Sequence, residues 1–156
     1  MKVIKKGDED PELVVVGSVH GDEPAGKKAI NELLQQDLEF RKPVKFIIAN
    51  EKALEENERY LDADLNSSFP GDPESDLHEE KLAAKINEHV EKRTVIDLHT
   101  TRSTEEAFVN IKNVEEATKD LVKATGVENS ACFPSESGVL IEIASDGILV
   151  ETGPQG

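Results

Sequence analysis

Short runs of branched apolar residues alternate along the chain with segments whose apolar positions recur every three or four residues. That is the pattern of an α/β domain built on a largely parallel sheet. Leu13 to Val16, Lys45 to Ala49 and Thr94 to Leu98 are rich in Val and Ile and read as buried central strands. Between them Ala25, Ala29, Ile30, Leu33 and Leu34 form one helical stripe, and Leu77, Leu82, Ile86 and Val90 form a second. A third helix is predicted from Asn113, with Glu116 completing a capping box, Val114, Ala117, Leu121 and Val122 on one face, and Gly126 as its stop. Towards the C-terminus, Val139 to Ile143 and Ile148 to Glu151 flank Ala144-Ser145-Asp146-Gly147, and Asp-Gly between apolar runs predicts a hairpin and hence a mixed sheet. The stretch from Glu51 to Asp76, with Pro70-Gly71 and Pro73, is expected to be a long loop of the kind that carries function. No internal repeat, low-complexity tract or linker divides the chain, so residues 1–156 are read as a single domain.

Composition narrows the possibilities. In a chain of 156 residues, 37% hydrophobic positions suffice for one packed core, which argues against fibrous or wholly disordered readings. Acidic residues number 33 and basic ones 18, and the resulting formal charge of -15 argues against nucleic acid or an anionic membrane surface as partner. The excess acidity reads as a solvated, self-repelling surface. No apolar run approaches the roughly 18 residues of a membrane span, and MKVIKKGDED lacks the apolar stretch of a signal peptide, so a cytoplasmic location is expected. A lone cysteine, Cys132, permits neither an intrachain disulfide nor a Cys-based zinc cluster. A metal site here must use His and carboxylates.

The strands end in residues of that kind. VVVGSVHGDEPAG runs a buried strand into His20-Gly21-Asp22-Glu23, where Gly21 lets the backbone turn and bring imidazole and carboxylate into one space. By itself the pair is weak, since Glu23 also suits a helix N-terminus. TVIDLH delivers His99 to the same edge of the sheet, followed by Thr100-Thr101-Arg102-Ser103. Two His and one Glu leave a fourth zinc position for water, the catalytic arrangement. Asp97, two residues before His99, is either a partner orienting that imidazole or a buried carboxylate of the core. His78 and His89 fall on the second predicted helix and read as surface residues. Glu151 ends the last apolar run and is the candidate general base, with Glu142 as the competing carboxylate. The loop ERYLDADLNSSFPG offers Arg59, Tyr60 and Asn66 as oxyanion donors or anion holders; Arg59 is one of only four arginines. The alternatives are a surface ion pair for Arg59 and a turn-capping Asn66.

GSVHGDEPAG, ANEKAL with RYLDADLNSSFPG, DLHTTRS and VETG, in that order, resemble the succinylglutamate desuccinylase and aspartoacylase family, relatives of zinc carboxypeptidases. The resemblance implies a carboxypeptidase-like α/β fold whose mixed, mostly parallel sheet is flanked by helices. It implies one zinc ion held by His20, Glu23 and His99, with Glu151 as general base and acid for amide hydrolysis. Arg59 is then expected to polarise the scissile carbonyl and Asn66 to help hold a substrate carboxylate. The implied substrate is a small anionic N-acyl amino acid, from which the acyl group is removed.

Two departures bear on this expectation. Where the family reads Asp-Leu-Asn-Arg, the chain has Asp64-Leu65-Asn66-Ser67, and a serine cannot grip a carboxylate bidentately. Arg102, three residues after His99, either replaces part of that charge or is a solvated loop residue. The chain also stops five residues after Glu151, where relatives continue with a helix on the sheet and often a β-rich segment, so a C-terminally truncated or naturally minimal version is expected. A carboxypeptidase-type peptidase and a non-catalytic, zinc-retaining domain are the competing functional expectations.

Overall fold

The computed structural model describes residues 1–101, 104–132 and 139–154. Its centre is a seven-stranded mixed sheet flanked on both faces by helices. In chain order the strands are β1 (Lys2–Lys6), β2 (Leu13–Gly17), β3 (Val44–Ile48), β4 (Thr94–His99), β5 (Phe108–Ile111), β6 (Asn129–Cys132) and β7 (Asp146–Glu151). The helices are α1 (Ala25–Gln35), α2 (Glu51–Glu56), α3 (His78–Val90), α4 (Glu116–Thr125) and the single turn α5 (Leu140–Ile143). Spatially the strands run β1-β3-β2-β4-β7-β5-β6. The central four, β3, β2, β4 and β7, are mutually parallel, so their C-terminal ends share one edge. Antiparallel pairing enters through β1 on β3 and β5 on β7.

Burial explains why the central strands are easy to see. Val14, Val16 and Ile47 on one face, with Val95, pack against Leu82, Ala83, Ile86 and Val90 of α3 and Leu140 of α5. On the opposite face, Ile30 of α1 covers Val44, Phe46 and Ile48. Leu121 and Val122 of α4 cover Val109, Ile111, Ile148 and Val150. At about 25 cal/mol per Å2 of apolar surface removed from water, the filling of both faces is the main favourable contribution to this architecture.

Several elements differ from the sequence expectation, each for a local reason. The expected hairpin at Ala144–Gly147 does not form. Leu140 and Ile141 are both buried, which a helical turn on the core satisfies and an alternating strand would not. Asp146 and Gly147 instead open β7: Asp146 Oδ1 accepts from the Gly147 amide and the Thr118 hydroxyl, and a Cβ on Gly147 would lie 3.2 Å from the Val95 carbonyl oxygen. Asp-Gly here meets a packing constraint of the sheet, not a turn. Helix α4 begins at Glu116, and Asn113 Oδ1 accepts from the Glu115 amide and lies 2.7 Å from Thr118 Oγ1, so no capping box forms. Val114 is consequently 64% exposed, and buried Thr118 takes the inward position expected of exposed Ala117.

In α1, Ala29 is exposed, while Gly26 lies against Gly17 so closely that a Cβ on either would collide with the other's backbone. In α3, Leu77 precedes the helix and is exposed; the inward stripe is Glu79, Leu82, Ala83, Ile86 and Val90, with a carboxylate at its head. The stretch expected to be a long loop opens with α2, which Asn50 caps by accepting from the Ala53 amide at 3.3 Å.

Candidate metal and hydrolase site

The parallel centre of the sheet delivers three strand ends to one place. After β2, Ser18 takes a left-handed conformation, its φ being 58°, and the chain crosses the sheet edge before α1. Gly21 is needed here for close approach rather than for a sharp turn: a Cβ would collide with the backbone of Ala53 and Glu58, and its amide donates to the Arg59 carbonyl at 3.0 Å. The crossing places His20 and Glu23 opposite the end of β4, where His99 stands. β7 ends in register beside it, pairing Glu151 with His99.

His20, Glu23 and His99 are buried, and one ligand atom from each lies within 4.8 Å of the others. His20 Nδ1 is 2.9 Å from Glu23 Oε1, and His99 Nδ1 is 3.2 Å from Glu23 Oε2. The carboxylate thus stands between two imidazoles, whose rings meet edge to face at a centroid distance of 5.0 Å. The outer nitrogens are also engaged: Asp97 Oδ2 lies 2.9 Å from His99 Nε2, and Asp64 Oδ1 lies 3.0 Å from His20 Nε2. Each imidazole is therefore oriented by a carboxylate behind it and presents Nδ1 inward, the support that metal-binding histidines generally need. Asp64 was visible in the sequence only as part of the Asp-Leu-Asn motif; its role becomes visible when the long loop folds over His20.

Charge is concentrated at this point. Burial opposes ionisation of Glu23, yet hydrogen bonds from His20, His99 and the Thr100 amide hold its carboxyl far below the usual range. Burial also opposes protonation of His99, but Asp97 and Glu23 override it and raise its pKa; Asp64 and Glu23 do the same for His20. Asp64 is drawn down to about 2, chiefly by its hydrogen bond with His20. Two imidazole nitrogens and a carboxylate oxygen converging on one point form a donor set that suits a borderline divalent metal such as zinc.

A cleft of about 370 Å3 opens over these residues and is lined also by Arg59, Asn66 and Glu151. Glu151 Oε2 is buried without a hydrogen-bond partner among the described residues, and burial raises its carboxyl pKa, offset in part by His99. Arg59 is 45% exposed at the rim; its Nη1 donates to Glu23 Oε1 at 3.0 Å and its Nε lies 3.4 Å from Asp64 Oδ2. Asn66 accepts from the Leu140 amide at 3.3 Å through Oδ1, while the turn-capping role falls to Asp64, which accepts from the Asn66 amide. Glu142, on α5, does not line this cleft. Tyr60 is 42% exposed, and His78 and His89 lie at opposite ends of α3, away from the cluster. Arg102 lies outside the described residues.

A family model described as the succinylglutamate desuccinylase/aspartoacylase catalytic domain matches residues 9–156. The chain belongs to this family. Among relatives of the succinylglutamate desuccinylase/aspartoacylase domain, a probable aspartoacylase of Prochlorococcus marinus (strain MIT 9515) is 30% identical over 164 residues, covering 91% of the chain and 53% of that protein. An N-acyl-aromatic-L-amino acid amidohydrolase (carboxylate-forming) of Xenopus laevis is 36% identical over 106 residues, 59% of the chain and 35% of that protein. A solved structure of succinylglutamate desuccinylase from Vibrio parahaemolyticus superposes with a TM-score of 0.78 at 17% identity, covering 97% of the chain and 54% of that structure, and shares the fold. The chain thus spans about half the length, or less, of these proteins.

Proposed function

We propose that the chain carries the metal centre of a zinc-dependent amidohydrolase that removes the acyl group from an N-acyl amino acid. The observation that carries this reading is a buried His20-Glu23-His99 cluster beside a half-buried carboxylate, Glu151, whose buried Oε2 has no partner among the described residues. The names of the Prochlorococcus and Xenopus relatives support the same reaction class.

His20 Nδ1, His99 Nδ1 and a Glu23 oxygen would hold the ion, with Asp64 and Asp97 fixing the two rings. An ion held there would supply Lewis acidity, polarising a carbonyl and making water easier to deprotonate near neutral pH. Glu151 takes the proton of the attacking water on Oε2, holds it in a pocket that favours the neutral acid, and delivers it to the departing amine. Arg59, at the rim, donates to the oxygen on which charge develops, exchanging its contact with Glu23 for one with substrate. Asn66 offers its amide to a substrate carboxylate.

Ser67, in place of the family's arginine, favours a second reading in which the domain retains zinc without turnover. Metal analysis together with a panel of N-acyl amino acids and short peptides separates the cases. Zinc-dependent release of free amino acid from the acyl substrates supports the deacylase; preferential peptide cleavage supports a peptidase; bound zinc without turnover supports the second reading.

A further inference from the structure

Glu79 is the charged residue that the α3 stripe buries completely, and the hydrolytic chemistry does not use it. Its two oxygens accept three consecutive backbone amides of one loop: Oε1 from Leu61 at 2.8 Å, and Oε2 from Asp62 at 2.9 Å and Ala63 at 3.2 Å. Oε1 also accepts from the side-chain amide of Asn50 at 3.1 Å. Asn50 is in turn held by its own amide on the Ser18 carbonyl at 2.9 Å, beside the strand end that leads to His20. The loop returns the contact, because Asp62 Oδ2 accepts the His78 amide of α3 at 2.8 Å.

The three amides occupy the segment between Arg59 and Asp64, the two loop residues that reach the cluster. A carboxylate is the side chain suited to this place. Both oxygens receive N–H donors, so a glutamine in either orientation would set its own NH2 against a backbone donor. Burial of the charge is tolerated because four hydrogen bonds converge on it.

We propose that Glu79 is a positioning residue that shapes the Leu61–Ala63 segment around its carboxylate and thereby sets Asp64 against His20 and Arg59 against Glu23. The effect on metal rests on the zinc reading above; the anchoring of the loop does not.

The test uses amide hydrogen exchange and zinc affinity, by competition with a chromophoric chelator, on wild type, Glu79→Gln, Asp64→Ala and the double variant. Glu79→Gln is expected to accelerate exchange at Leu61, Asp62 and Ala63 while leaving α4 unchanged, and to weaken zinc binding about 10-fold, as loss of an outer-shell partner does. Because Glu79 acts through Asp64, the double variant is expected to bind zinc about as weakly as Asp64→Ala alone, whereas independent losses would multiply to about 100-fold. Val109→Ala, which destabilises the distant β5 core, is the control and leaves zinc affinity unaltered. Unchanged exchange at the three amides, or multiplied losses in the double variant, overturns the proposal. If wild type binds no zinc, the metal reading fails and the exchange experiment alone decides the anchor. If Glu79→Gln does not fold, exchange in wild type decides: protected amides in this loop support the anchor, and amides exchanging as in an unstructured peptide refute it.

Discussion

At the residue scale, the site depends on carboxylates playing unlike parts within one cleft. Glu23 is held ionised between two imidazoles, whereas Glu151, with a buried oxygen that has no partner among the described residues, is pushed by burial towards its neutral form. Environments that drive acid groups apart in pKa are what a ligand and a proton carrier respectively require. Glu151→Gln is therefore expected to keep zinc bound and to lower turnover by about 10²–10⁴-fold, checked by metal content and initial rates on the same preparation. Asp97→Ala removes the 2.9 Å contact that orients His99 and is expected to weaken zinc binding by about 10–100-fold. Competition titration against a chelator measures it, and an unchanged affinity would show that His99 needs no support from behind.

At the element scale, packing determines which helices matter. Ile86 of α3 is fully buried in the main core, so Ile86→Ala is expected to cost roughly 2–5 kcal/mol in urea unfolding. Val114, exposed and outside α4, should change stability by no more than about 0.5 kcal/mol when replaced by Ala. The carboxylate at the head of α3 adds a pH dependence. Burial opposes ionisation of Glu79, yet the three loop amides and Asn50 hold its pKa below 4.5. A folded pKa below the unfolded one means that the contribution to stability is complete above the unfolded value and is lost as pH falls from about 4.3 towards the folded pKa. Urea midpoints at pH 7 and pH 3.5 should accordingly fall less in Glu79→Gln than in wild type. The same elements show what could be read from sequence. Strands β2, β3 and β4 are legible because cover on both faces of the sheet imposes runs rich in Val, Ile and Leu, interrupted by Lys45 in β3 and Asp97 in β4. By contrast, β1 is a short edge strand, KVIKK, exposed at four of its five positions, and so lacks the apolar run that marks the central strands. Glu79 escaped because a buried acid on a helical stripe is indistinguishable from a solvated one until the loop that neutralises it is in place.

At the scale of the whole molecule, the parallel centre of the sheet gathers residues that lie far apart in sequence. His20, His99 and Glu151 were readable because each ends an apolar run, and parallel strands bring such ends to one edge. Asp64 was not, and for Arg59 the sequence offers an ion pair without its partners, Glu23 and Asp64, since loops owe their course to side-chain contacts without a period. No helix among the described residues is long and apolar enough to cross a membrane. With a formal charge of -15, mutual repulsion opposes compaction, and stability is expected to rise as salt is raised from about 0.01 to 0.15 M, measured by the urea midpoint. The central claim is that His20, Glu23 and His99 hold a single divalent ion. Its most direct test is elemental analysis of the purified protein after zinc loading and desalting, alongside His20→Ala and His99→Ala. The account predicts one zinc per chain in wild type, removable by chelator, and almost none in either variant; wild type that retains no zinc, or variants that retain as much as wild type, would contradict it.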